Sequence, residues 1–151
     1  MTIEIKEITL SQIDDVVALF DQYMVFYEQA SNPEKYKLYL EERIGQNEAT
    51  VFVAYADQEP VGFVLNYHSF SSVSQGKIIV LNDLFVAKEY RKYGLGEKLI
   101  DQVIALARET GAVRIDLGTA KNNFTAQSLY EKIGFIKDTE YFSYSLSVSS
   151  A

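Results

Sequence analysis

The chain has 151 residues, of which 48% are hydrophobic and 13% aromatic, which suits a globular domain with a real core and excludes a disordered chain. It has no cysteine and one histidine, which removes disulfide frameworks, thiolate or histidine metal sites, a cysteine nucleophile and a Ser/His triad. The net charge of −7 repels nucleic acid and anionic membrane and favours cationic partners.

No apolar run reaches membrane-spanning length, and no basic segment followed by an apolar one opens the sequence. A soluble cytoplasmic protein with one domain over residues 1–151 is therefore expected. Residues 2–8 alternate Ile3, Ile5 and Ile8 with polar side chains and predict a first strand. Ser11 is the expected N-cap of a helix whose face runs through Ile13, Val16, Val17, Phe20, Met24 and Tyr27 to about Gln29. Tyr23, Phe26 and Tyr27 cluster near its end. Such aromatics belong to a core or, beside a cleft, line an acceptor pocket.

Ser31-Asn32-Pro33 breaks this helix, and Pro33 suits the first position of a second helix over 34–44, which stops at Gly45. Residues 50–56 and 61–67 are β-rich and flank the turn Asp57-Gln58-Glu59-Pro60, which predicts a hairpin. A serine-rich connection over 69–75 leads to a strand over 77–86. Helical spacing of Leu95, Leu99, Val103 and Leu106/Ala107 predicts a helix up to Thr110, with Gly111 as its C′ residue. A strand over 113–117 follows. Asn122 or Asn123 opens a last helix carrying Ala126, Leu129, Tyr130 and Ile133, closed by Gly134. Residues 135–137 and 141–148 predict two final strands. The expected fold is α/β, a mixed sheet of about seven strands with about four helices on both faces. Its early strands pair as antiparallel hairpins, and the strand–helix–strand unit over 80–117 forms a right-handed crossover with parallel strands.

The hexapeptide Arg91-Lys92-Tyr93-Gly94-Leu95-Gly96 lies between that strand and that helix. Two glycines let the backbone approach a ligand closely, and the first-turn N–H groups and the helix dipole favour an anion. Arg91, Lys92 and Lys88 add positive charge against an acidic background. A Walker loop would need a Gly-Lys-Ser/Thr ending, which is missing, and a dinucleotide fingerprint would need glycine where Leu99 stands.

The hexapeptide resembles the pyrophosphate loop of the GNAT (general-control-related N-acetyltransferase) superfamily, Gln/Arg-x-x-Gly-x-Gly/Ala. Downstream, Asn123-x-x-Ala126-x-x-Leu129-Tyr130-Glu131-Lys132-x-Gly134-Phe135 is similar to the same superfamily's second cofactor motif. The segments Leu81-Asn82-Asp83-Leu84-Phe85-Val86 and 20–27 resemble a bacterial subgroup related to histone and polyamine acetyltransferases. The resemblance covers nearly the whole chain and implies the GNAT fold and acetyl-CoA as cofactor. It implies that the strand edge at Leu84, Phe85 and Val86 bonds the pantetheine arm. The pyrophosphate would sit on backbone N–H groups of Arg91, Lys92, Tyr93, Gly94, Leu95, Gly96 and Glu97. Asn123 would reach the pantetheine or fix its helix, and Tyr130 would point at the thioester sulfur. A homodimer is expected from the resemblance, with an exposed edge at the 141–148 end as a candidate contact.

In such an enzyme an amine attacks the thioester carbonyl directly, so no enzyme nucleophile is needed. The amine, with an ordinary pKa of about 10, must lose its proton. A strand N–H near Val86 would serve the oxyanion, and Tyr130 the leaving thiolate. Polyamine acetyltransferases often carry a glutamate where this chain has Asn82, and an amide takes no proton. Asp83 is adjacent, but neighbouring strand residues face opposite sides, so a bulge would have to re-aim it. Glu28, His68 or a water relay are alternative bases. Tyr23, Tyr27, Asn82 and Asp83 are the expected acceptor-binding residues. Three functions fit: an N-acetyltransferase for a small cationic amine (a polyamine, amino acid or aminoglycoside-like compound), a protein lysine or N-terminal acetyltransferase, and a non-catalytic acyl-CoA-binding module.

Overall fold

A computed structural model describes residues 1–149. Met1–Gly118 form one compact unit and the residues from Thr119 onward a second. The first unit runs β1 (Ile3–Glu7), α1 (Ile13–Phe26), α2 (Pro33–Gly45), β2 (Ala49–Ala56), β3 (Glu59–Ser71), β4 (Gly76–Val86), α3 (Leu95–Thr110) and β5 (Arg114–Asp116). The second holds α4 (Phe124–Ile133). No helix among the described residues is long and apolar enough to cross a membrane.

The strands form one mixed sheet in sequence order, antiparallel throughout except for the parallel pair β4–β5. The two-residue turn between β2 and β3 puts Asp57 at φ 48° and Gln58 at φ 71°, the left-handed pair that a tight hairpin demands. The second hairpin is longer than its sequence suggests, because β3 runs on to Ser71 and the serine-rich connection shrinks to a turn.

Side-chain alternation divides β2 and β3 between two cores. Ala49, Val51, Val53, Tyr55, Phe63 and Leu65 join Val16, Phe20, Tyr36 and Leu40 of α1 and α2. The residues in between, Phe52, Ala54 and Val64, are buried on the opposite face, where α3 packs Leu95, Leu99, Ile100 and Val103. Both faces are therefore covered, which is why β2 and β3 read as almost unbroken apolar runs.

Local chemistry sets several boundaries. Asn32 caps α2 by accepting the Lys35 N–H, with Pro33 at the first helical position as expected. Gly111 ends α3 at φ 74°. Ser11 does not cap α1; the chain enters through a single turn in which the Thr9 N–H donates to Gln12 Oε1 at 3.1 Å, with the Thr9 and Ser11 hydroxyls 2.8 Å apart. The helix also stops at Phe26, short of Gln29, because Glu28 takes a left-handed φ of 63°.

The strand count is five rather than about seven. Residues 135–137 and 141–148 lie outside helix and strand. Asp138 Oδ1 instead accepts the N–H groups of Glu140 and Tyr141 in a side-chain turn. Phe142, Tyr144, Leu146 and Val148 alternate with serines, yet each is 87–92% exposed. Alternation makes a segment competent to pair; a ladder also needs an edge to pair with.

Candidate active site

The site grows out of β4. Its first half is bound on both edges, since Ile78, Ile79 and Val80 pair with β5 as well as β3. Beyond Val80, β5 no longer follows, while β3 continues opposite as far as Val86. The Ala87 N–H donates to the Val61 carbonyl at 2.8 Å. Antiparallel alternation then turns the N–H and C=O groups of Val86 and Leu84 away from β3, onto the open edge, and those of Phe85 towards β3. The strand edge expected to meet a pantetheine arm is thus exposed, through Leu84 and Val86 rather than through all three residues.

A bulge lies at the boundary between the halves. Asn66 pairs with Leu81 and Leu65 with Asp83, so Asn82 is the extra residue. The insertion puts Asp83 on the same face as Leu65 and Phe63, the face covered by α1. It is one of two buried polar residues among those described, the other being Asn66. Its Oδ1 accepts the Tyr23 hydroxyl at 2.7 Å and its Oδ2 the Asn82 side-chain amide at 2.9 Å. Tyr23 packs near Phe85 (6.0 Å between ring centres), Phe63 (5.7 Å) and Tyr27 (4.9 Å). Tyr27 and Asn82 are exposed, so the cluster opens to solvent on one side. The result is one carboxylate in an aromatic surround at the start of the open edge.

Tyr67 and Tyr39, which were not singled out in the sequence, border this face. Tyr67 sits two residues beyond Leu65 on β3, and its hydroxyl bonds that of Tyr39 on α2. Burial first, then the Tyr39 bond and the charges of Tyr39 and Asp83, push the Tyr67 hydroxyl well above the usual tyrosine range. The period-two series Phe63, Leu65, Tyr67 was the available signal, but a tyrosine ending such a series also reads as core. The alternative bases lie elsewhere: Glu28 is exposed past the end of α1, and His68 bonds the Thr50 hydroxyl at 2.7 Å. Burial and then the charge of Lys77 lower the pKa of His68, with Glu7 opposing.

From the open edge the chain enters the glycine loop. Lys92 takes φ 76° and Gly94 φ 75°. A side chain at Gly94 would meet nothing within 4 Å, so conformation rather than space calls for glycine there. Gly94 is the N-cap residue of α3 and supplies no capping side chain. Leu95 is buried beneath α3 and offers a ligand only its amide, as does Gly96. Lys88, Arg91, Lys92 and Tyr93 are exposed. A non-glycine residue held at positive φ costs roughly 1–3 kcal/mol, and such strain gathers at ligand-binding turns.

The second unit carries the other two expected residues. Asn123 is the N-cap of α4, its Oδ1 accepting the Ala126 N–H at 3.2 Å. Tyr130 is half-buried on α4, with its ring edge-on to Phe135 at 5.8 Å.

An open strand edge, an amide cradle with surrounding cations, and a carboxylate beside the edge together suit transfer of an acyl group from an anionic carrier to an amine. Residues 16–135 match the Acetyltransferase (GNAT) family. The chain is 36% identical over 144 residues to the uncharacterized N-acetyltransferase YhfO of Bacillus subtilis (strain 168), covering 95% of this chain and 97% of that one. It is 24% identical over 137 residues to a thialysine N-epsilon-acetyltransferase of Caenorhabditis elegans, across 91% of this chain and 85% of the relative. A solved structure of a probable acetyltransferase, 38% identical, superposes with a TM-score of 0.90 over 98% of this chain and 99% of its own. The strand, loop and helix described above are thus those of a known transferase fold, and the chain belongs to the GNAT acetyltransferase family and is an N-acetyltransferase.

Proposed function

We propose that this enzyme transfers an acetyl group from acetyl-CoA to the primary amine of a small cationic molecule such as a polyamine or amino acid. The observation that carries this reading is the bulge at Asn82, which turns Asp83 into an aromatic cluster beside the open edge of β4. The thialysine substrate named for the nematode relative supports an amine acceptor.

The residues fit acetyl-CoA. The amides of Leu95 and Gly96, with Lys88, Arg91 and Lys92 around them, would hold the pyrophosphate. The open-edge groups of Leu84 and Val86 would hold the pantetheine arm. When bound, the carrier supplies an acyl group activated as a thioester. The Val86 or Leu84 N–H is the donor available to developing oxyanion charge.

Asp83 is the acceptor anchor and base. Each carboxylate oxygen has two lone pairs, so the bonds from Tyr23 and Asn82 leave room for an ammonium. The faces of Tyr23, Tyr27 and Phe85 attract the same cation. The carboxylate then takes the proton that the amine must lose, directly or through one water. Tyr130 Oη, carried over from the family motif, is the proton source for the leaving group. Among partners, the exposed row Phe142, Tyr144, Leu146 and Val148 supports a homodimer.

The test is a thiol-release assay with acetyl-CoA over polyamines, amino acids, aminoglycosides and a lysine-rich peptide. Turnover confined to small amines is expected. Turnover of the peptide alone would replace this reading with a protein acetyltransferase.

A further inference from the structure

Arg91 does something that its neighbours Lys88 and Lys92 do not. Its Nε–H donates to the Val86 carbonyl at 2.9 Å, and its guanidinium lies over the Phe85 ring at 6.0 Å. Val86 ends the β4 ladder, and its carbonyl faces the open edge. Arg91 begins the glycine loop. One side chain therefore ties the start of the loop to the end of the edge, across five residues. Phe85 in turn packs against Tyr23, which holds Asp83.

We propose that Arg91 is a positioning residue that fixes the glycine loop against the open edge of β4, and that the reaction uses its Nε–H donor rather than its positive charge. The proposal rests on the loop and edge holding the two halves of acetyl-CoA. Those halves are covalently joined, so their protein subsites must stand a set distance apart. The Arg91–Val86 bond sets that distance at the point where the strained Lys92 and the flexible Gly94 would otherwise leave it free. Charge alone is already supplied by Lys88 and Lys92.

Side-chain geometry separates donor from charge. Counted along the chain from Cα, glutamine Nε2 stands at the same atom position as arginine Nε, and lysine Nζ lies one atom further out. Arg91→Gln keeps a planar donor and removes the charge. Arg91→Lys keeps the charge and moves the donor. Arg91→Ala removes both. Steady-state kinetics with acetyl-CoA varied, together with thermal melts, read the difference.

Arg91→Gln is expected to keep kcat/KM within about twofold of the parent, while Arg91→Lys and Arg91→Ala both lose roughly tenfold, the scale of one hydrogen bond to a charged group. The loss should appear in KM for acetyl-CoA and in kcat, with the melting temperature unchanged. Three results would overturn the proposal: Arg91→Lys active while Arg91→Gln matches Arg91→Ala, which makes the charge the working part; all three variants equal to one another; or melting temperatures that fall while kinetics stay put, which makes the link merely structural. If the parent enzyme itself does not bind acetyl-CoA by calorimetry, the reading of the loop fails before the variants are compared.

Discussion

The two halves of β4 differ more than their sequences suggest. Ile78, Ile79 and Val80 are apolar and paired on both edges. Leu84, Phe85 and Val86 are also apolar but paired on one edge only, each half-buried. Between them the extra residue Asn82 interrupts the ladder. The first half behaves as core. The second offers backbone groups to a ligand, because β5 is three residues long and ends its pairing at Val80. An unpaired strand edge is usually a liability; here a short neighbour and a bulge leave it open at one defined place.

Substitutions on the two sides of Asn82 should separate chemistry from stability. Asp83→Asn should lower kcat/KM by about a hundred- to ten-thousand-fold, the range for loss of a general base, while acetyl-CoA binding by calorimetry persists. An amide can still accept the Tyr23 hydroxyl, so the melting temperature should hold; a large drop would mean that Asp83 is structural. Ile79→Ala, in the paired half and 1% exposed, should do the reverse. It is expected to cost about 2–5 kcal/mol in denaturant unfolding and leave activity per folded molecule close to the parent.

Further along the open half, Gly94→Ala tests the left-handed N-cap residue. Alanine has the space but not the conformation, so about 1 kcal/mol of stability should be lost. KM for acetyl-CoA should rise as well, and an unchanged KM would separate the loop from the cofactor.

The smallest effect belongs to His68, opposite Ile79 in the paired half. Folding lowers its pKa from 6.5, so the folded state favours the neutral ring. The resulting stabilisation is complete above the unfolded value and fades as pH falls through the folded one. His68→Gln should therefore flatten the fall in melting temperature from neutral to mildly acidic pH. A parent and variant with parallel curves would assign that fall to other groups.

Much of the fold was legible because its signals are local. Asn32-Pro33, Gly111, Asn123 and Gly134 mark helix ends through backbone chemistry that operates within a few residues. The glycine loop could be placed between β4 and α3 for the same reason: an αL glycine and a basic cluster are properties of six consecutive residues. Cap and end positions were less secure at α1, where Thr9 with Gln12 displaced Ser11, and Glu28 ended the helix early.

What the residues determined by themselves was the order of elements up to α4, the anion-ready loop and the set of polar groups near it. Tertiary structure decided how those groups are aimed. The alternating row Phe142, Tyr144, Leu146 and Val148 is able to form a strand, but a strand is completed only by the edge it meets, and no periodicity supplies that edge. Whether Asp83 faces α1 depends on counting β4 against β3, and that register is a property of two strands rather than one. Whether Leu84 and Val86 are free depends on where β5 stops. The bonds from Arg91 to Val86 and from Tyr23 to Asp83 join atoms that only the folded chain brings within reach.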